Sequence, residues 1–144
     1  MKSNLVIFIS SKNEFVIGDE VIMSNQKVLI ILAGFTGFVG VALGAFGAHR
    51  LSDILSPEML EVYKTGVLYH LIHSVAVLAI AFSGKEKFFK DAYVMIVGIV
   101  LFSGSLYIYA QSAVKFFAMI TPVGGICFLI GWLLIVVEGI RMKQ

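Results

Sequence analysis

Three histidines carry the chemistry that this chain could perform. His49, His70 and His73 all fall in one stretch, Gly44–Ser74, GAFGAHRLSDILSPEMLEVYKTGVLYHLIHS, with strongly apolar sequence on both sides. His70 and His73 are three residues apart, so on a helix they share one face about a turn apart. With His49 they would offer three neutral nitrogens, a set suited to a divalent metal or to haem. The same rings could carry protons between neighbours, since imidazole changes charge near neutral pH. They could also simply hydrogen-bond across helices and fix a bundle, which the absence of nearby acidic or cysteine ligands favours.

Nucleophilic chemistry finds less support. Ser74, Ser103 and Ser105 have histidines within imaginable reach, but the sequence offers no buried acid to orient a base and no GxSxG elbow. Walker-type, dinucleotide-binding and HExxH patterns are absent. The single cysteine, Cys127, sits in an apolar run and can form no internal disulfide. Glu138 lies three residues before Arg141, which reads as an ion pair on a solvated helix end.

The elements that must position these residues follow from composition. Of 144 residues, 59% are hydrophobic and 14% charged, with a mean hydropathy of +0.96. Soluble domains average about 25% charged and about 45–50% apolar residues. A soluble chain of this length could not hide so much apolar surface, so lipid is the solvent. The net charge of +2 gives no reason to expect nucleic acid. Four apolar stretches, about 28–48, 65–83, 92–110 and 116–137, are each long enough to cross a hydrocarbon core of about 30 Å. They predict an all-α polytopic membrane protein, an antiparallel bundle of four transmembrane helices over residues 23–144. No strand pattern is visible. Ser56-Pro57-Glu58 reads as a helix start running on into the second span, with Leu55, Met59, Leu60 and Val62 toward the interface and Asp53, Glu58, Glu61 and Lys64 toward water. Thr121-Pro122 predicts a kink or a late start in the fourth span.

Small residues mark the packing faces. Gly37, Gly40, Gly44 and Ala48, with Gly47 beside them, recur at roughly helical spacing in the first span, and Gly124-Gly125 stand in the fourth. Gly40 and Gly44 form a GxxxG pair, read here as packing against a helix of the same chain rather than as a dimer face.

Lys and Arg in short loops set orientation. Lys27, Lys85, Lys87, Lys90, Arg141 and Lys143 outnumber Arg50, Lys64 and Lys115 on the other side. Both termini are therefore expected in the cytoplasm. The outer half of the bundle then gathers one polar cluster: His49, His70, His73, Ser74, Ser103, Ser105, Tyr107, Gln111 and Thr121. Residues 1–22 fit neither a span nor a secretory signal. The codons of Glu20-Val21-Ile22 can spell a ribosome-binding site ahead of Met23, so this extension is expected to be a misassigned start, or otherwise a short cytoplasmic tail, disordered or on the membrane surface.

The motifs GAFGAHRL at Gly44–Leu51, YKTGVLYHLIHSVAVL at Tyr63–Leu78, LFSGSLYIYA at Leu101–Ala110 and ITPVGGICFLIGW at Ile120–Trp132 resemble, in order, the small membrane-protein family called domain of unknown function 423, whose animal relatives are named transmembrane protein 256. The resemblance covers Val28 to about Val137. It implies a four-span bundle in the bacterial plasma membrane, and its pattern falls on Gly47, Ala48, His49, His70, His73, Ser74, Pro122, Gly124 and Gly125. It implies no activity. The reading of the whole is a non-enzymatic structural or accessory membrane component without a cofactor, set in the lipid bilayer, alone, as a homo-oligomer or with a membrane-protein partner. A haem or divalent-metal protein built on His49, His70 and His73, and a small oligomeric transporter or proton-linked carrier, are the alternatives.

Overall fold

The computed structural model describes residues 24–142 and the backbone of three short strands ahead of them. Strands β1 (Ile7–Ile9), β2 (Phe15–Ile17) and β3 (Glu20–Val21) pair antiparallel in that order. The register sets Phe8 against Val16 and Val16 against Val21. No strand pattern was legible there, because three-residue pairings are too short to show alternation. The proposed misassigned start lies outside what the structure describes.

Among the described residues after Ser24, every regular element is helical, joined by short turns. Four helices are long and apolar enough to cross a membrane: Asn25–Asp53, Pro57–Ser83, Glu86–Ser112 and Lys115–Ile140. The chain is a four-span, all-α membrane protein. Helix α1 (Asn25–His49) opens on Ser24, whose Oγ accepts from the Lys27 N–H, and is followed by a 3₁₀ turn at Leu51–Asp53. Helix α2 (Pro57–Ser83) opens on Ser56, with Pro57 in the first turn and the Ser56 Oγ accepting from the Met59 N–H. It ends at Gly84, whose φ of 65° is the left-handed conformation that glycine adopts freely. The third span is α3 (Phe89–Gly98), a π-helical stretch (Ile99–Ser103) and α4 (Gly104–Ser112) in one rod. Helix α5 (Lys115–Ile140) forms the fourth.

The helices run longer than the apolar stretches alone suggested, because capped polar turns extend them beyond the hydrocarbon. Pro122 neither delays nor ends α5: the helix begins seven residues before it. In a membrane, neighbouring helices and local adjustment re-satisfy the backbone that proline disturbs.

The spans antiparallel one another, so Asn25, the Ser83–Glu86 turn and Ile140 share one end. Gln26 Nε2 donates to the Ala81 carbonyl at 3.0 Å and Lys90 Nζ pairs with Glu138 at 2.9 Å, which tie that end together. At the other end Leu51, Tyr63, Tyr107 and Ala110 form a buried cluster, with Leu55 and Val62 packed on it. These two side chains therefore face the bundle as well as the interface. A second cluster, Leu29, Ala33, Val77, Ala81, Phe89, Ala92 and Met95, fills the opposite half. Helices α1 and α5 lie on opposite flanks, with α2 and the third span between them.

Glycines decide how close the helices come. A Cβ on Gly40 would meet Leu71 and His70, one on Gly44 would meet Val67, and one on Gly47 would meet the Tyr63 ring, so all three face α2. Gly124 faces the Phe102 backbone itself. Gly125 makes only ordinary contact with the Phe102 ring, Gly37 has open space, and Ala48 is exposed. The predicted packing stripe is corrected at Gly37 and Ala48: Gly37 borders an open groove beside Leu71 and Ser74 of α2 in which a Cβ would touch nothing, and Ala48 is exposed.

Candidate functional site

The polar side chains of the bundle gather into separate hydrogen-bonded groups rather than one patch. On α2, His70 and His73 part company although they stand one turn apart. His70 Nδ1 lies 3.1 Å from the Tyr107 hydroxyl on α4. His73 Nδ1 donates to the Tyr69 carbonyl at 2.7 Å, and Trp132 Nε1 on α5 donates to His73 Nε2 at 3.2 Å. An indole N–H only donates and a carbonyl only accepts. His73 is thus a neutral imidazole with its proton on Nδ1 and both nitrogens in use. Its ring stacks on Phe128 with centroids 3.5 Å apart and planes 13° apart.

The hydroxyls do the same work elsewhere. Ser74 Oγ lies 2.8 Å from the His70 carbonyl and 3.0 Å from Thr36 Oγ1 on α1. Ser105 and Thr121 join α4 to α5 with their oxygens 2.8 Å apart. Tyr63 donates to the Leu43 carbonyl at 2.9 Å and stacks, tilted, on Tyr107. Gln111 Nε2 turns back to the Tyr107 carbonyl. Each bond of this kind in a membrane contributes about 0.6–2 kcal/mol.

His49 does not join them. It sits exposed at the end of α1. Among the described residues no three His, Cys, Asp or Glu side chains come together as a metal-ligand set. The three-histidine set read from the sequence is therefore corrected: His49 is at the helix end, His73 has no free nitrogen, and only His70 keeps one.

Three buried side chains have polar atoms without a hydrogen-bond partner among the described residues: His70 at Nε2, Ser103 at Oγ and Asp91 at both carboxylate oxygens. Unpartnered buried groups are rare enough to require a reason. Ser103 closes the π-helical stretch, a feature often found at functional sites. Asp91 was not foreseen, and the expectation that no acid is buried fails there. It stands in the first turn of α3 and is fully buried, with its backbone carbonyl facing Gly131 of α5. The signal was available in the spacing Asp91, Met95, Gly98 and Phe102, which lies along the α5-facing side once the helix starts at Phe89. Neither carboxylate oxygen of Asp91 has a hydrogen-bond partner among the described residues, and the ring bonds of His70 and His73 go to Tyr107, Tyr69 and Trp132, so Asp91 orients neither histidine.

Thr36, Trp132 and Phe128 were also missed as partners. A lone threonine and two aromatics in apolar runs carry no positional signal until the neighbouring helix is known. Glu138 pairs with Arg141 at 3.9 Å, as its spacing implied, but its closer partner is Lys90 across the bundle.

The His70 ring also floors a cleft of about 270 Å³ between α1 and the third span, walled by Phe35, Thr36, Val39, Val100 and Gly104. On the other side of α2, Tyr69, His73, Phe102, Phe128 and Trp132 line a second, aromatic groove.

A family model described as "Protein of unknown function (DUF423)" matches residues 43–125, from the end of α1 into α5. The UPF0382 membrane protein YwdK of Bacillus subtilis is 41% identical over 121 residues, covering 81% of this chain and 98% of its own. The UPF0382 inner membrane protein YgdD of Escherichia coli is 40% identical over 124 residues, covering 83% and 95%. A UPF0382 membrane protein of Haemophilus influenzae is 43% identical over 123 residues, covering 83% and 98%. No solved structure matches the chain.

Proposed function

Since the chain belongs to the DUF423 family of small membrane proteins, we propose that it is a non-enzymatic structural or accessory component of the bacterial plasma membrane, with both termini in the cytoplasm. The observation that carries this reading is the use of the polar side chains. His73, Ser74, Ser105, Thr121 and Tyr63 all spend their hydrogen bonds joining one span to another or to their own helix. None of these side chains stands free to attack a substrate. The inner location draws support from the relative YgdD, which is named an inner membrane protein. The orientation is supported by the lysines Lys85, Lys87 and Lys90 at the end that carries Asn25 and Ile140.

Two experiments test it. Fusions of green fluorescent protein and of alkaline phosphatase after Gln144 report the side of the C-terminus: fluorescence without phosphatase activity is expected, and the reverse overturns the orientation. Proteoliposomes of the purified protein, with and without His70→Ala, are then assayed for proton and cation flux. No flux above empty vesicles is expected. Flux that His70→Ala abolishes would replace this reading with a carrier.

A further inference from the structure

We propose that Lys90 and Arg141, at the end of the bundle that carries Ile140, hold the phosphate of an anionic phospholipid whose chains lie along α3 and α5. Glu138 gathers the cations. Its Oε1 lies 2.9 Å from Lys90 Nζ and 3.9 Å from Arg141 Nη1, and its backbone carbonyl accepts from Lys87 Nζ at 3.3 Å. Three positive charges thus meet one carboxylate. Lys85 and Glu86 cancel each other in the adjoining turn, and Asp91 is buried. The accessible surface of this corner is left cationic.

Both cations can be reached and have donors to spare. The side chains of Arg141 and Lys90 are 69% and 59% exposed, against 13% for Glu138. A separation of 3.9 Å is too long for a hydrogen bond, so the Arg141 guanidinium has no hydrogen-bond partner among the described residues and keeps its N–H fork. Lys90 Nζ donates to Glu138 alone and keeps its other N–H groups. Both nitrogens lie beside the same oxygen atom, so they stand at most about 7 Å apart. A phosphate taking a charge-assisted bond of about 2.8 Å from each spans that gap.

Depth and the surface alongside point to a lipid rather than a dissolved anion. Phe128 meets Gly98 near the middle of both spans. From that level Lys90 and Arg141 are about 12 and 20 Å away along the helix axes, and headgroups begin about 15 Å from the midplane. Val94 and Val97 follow Lys90 toward the middle on its own face of α3, and Val137 and Leu134 precede Arg141 on its face of α5. None of the four is buried. Lys90 and Arg141 reach one oxygen, so the two apolar rows border one furrow with the charges at its mouth. That is the outline of a phospholipid, chains inward and phosphate at the rim, and basic sites between spans are known to take anionic headgroups. Phosphatidylethanolamine would bring an ammonium of its own to this cationic corner, and phosphatidylglycerol brings none. The site is separate from the accessory role, and the fusions after Gln144 decide only which leaflet supplies the lipid.

Native mass spectrometry of the full chain tests this. The protein is stripped of lipid in mild detergent and given equal amounts of dioleoyl phosphatidylglycerol and dioleoyl phosphatidylethanolamine. Preferential retention of phosphatidylglycerol is expected, and a tenfold excess of inorganic phosphate should not displace it. Arg141→Gln should reduce the preference roughly fivefold, the worth of one basic residue at an anionic surface, and Arg141→Lys should keep most of it. Arg141 is exposed and follows the last residue of α5, so its loss leaves the bundle intact. Lys64→Gln removes an equally exposed cation at the opposite end and should change nothing. Equal retention of the two lipids, displacement by phosphate, or an equal loss in Lys64→Gln overturns the proposal. Lys90→Gln should act as Arg141→Gln does, and if it does not fold, Arg141→Gln decides alone.

Discussion

Trp132 Nε1 donates to His73 Nε2 across 3.2 Å and so joins α5 to α2 in the middle of the bundle. The bond depends on the opposite side of the ring, where Nδ1–H donates to the Tyr69 carbonyl at 2.7 Å and leaves Nε2 as the acceptor. Trp132→Phe keeps an aromatic ring and removes the donor, leaving a buried nitrogen without a partner. That costs about 1–3 kcal/mol. The expected outcome is a lower unfolding temperature in mild detergent, with the ¹⁵N spectrum of His73 still showing Nδ1 protonated. A His73 spectrum unchanged at Nε2 in the variant would show that the bond is not made.

Gly124 and Gly37 make a matched pair. A Cβ on Gly124 would run into the backbone of Phe102, which cannot move aside as a flexible side chain could, whereas one on Gly37 meets nothing within 4 Å. Gly124→Ala is expected to separate α5 from the π-helical stretch and to cost about 3 kcal/mol, at the upper end of overpacking penalties. Gly37→Ala is expected to be neutral or to stabilise by up to about 1 kcal/mol through helix propensity. Thermal aggregation of the two variants in detergent, measured side by side, checks both.

The spans were legible because mean hydropathy and length alone define them. So were the starts at Ser56-Pro57 and the facing of Gly40, Gly44 and Gly47 toward a helix of the same chain. The site was less legible, and the reason is geometric. Residues three apart on a helix share a face, but His70 and His73 reach different neighbours because α1 and α5 flank α2 on opposite sides. Nothing in spacing along one helix reveals which span lies beside it. The partners Thr36, Trp132 and Phe128 were invisible for that reason. Asp91 by itself carries no such signal in the sequence, because it follows the charged run GKEKFFK and precedes the apolar stretch that begins near residue 92. Only the start of α3 at Phe89 turns it inward.

Ala113 sits in the left-handed region with φ of 56°, just past α4. Its N–H closes the helix by donating to the Tyr109 carbonyl at 2.8 Å. A side chain with a Cβ pays roughly 1–2 kcal/mol for this conformation, and glycine does not. Ala113→Gly should therefore raise the unfolding temperature, by an amount reduced by the extra freedom glycine has in the unfolded chain. A drop in the unfolding temperature would show that the turn is held by contacts of the alanine methyl instead.

Asp91 is the side chain that stability alone does not explain. It is fully buried against α5, and neither carboxylate oxygen has a hydrogen-bond partner among the described residues. Its neighbour Lys90 is already paired with Glu138 at 2.9 Å. A buried polar group with no partner costs about 1–3 kcal/mol, and replacing it by an apolar group of similar shape recovers that cost. Asp91→Leu is thus expected to stabilise the bundle in detergent by about 1 kcal/mol or more. Asp91→Asn should not, because an amide in the same place still lacks partners. Unfolding temperatures of the two variants against the wild type distinguish these outcomes. A loss of stability in Asp91→Leu would mean that the carboxyl is bound by something the isolated bundle supplies, and the backbone N–H groups of the first turn of α3 are the nearest candidates by sequence.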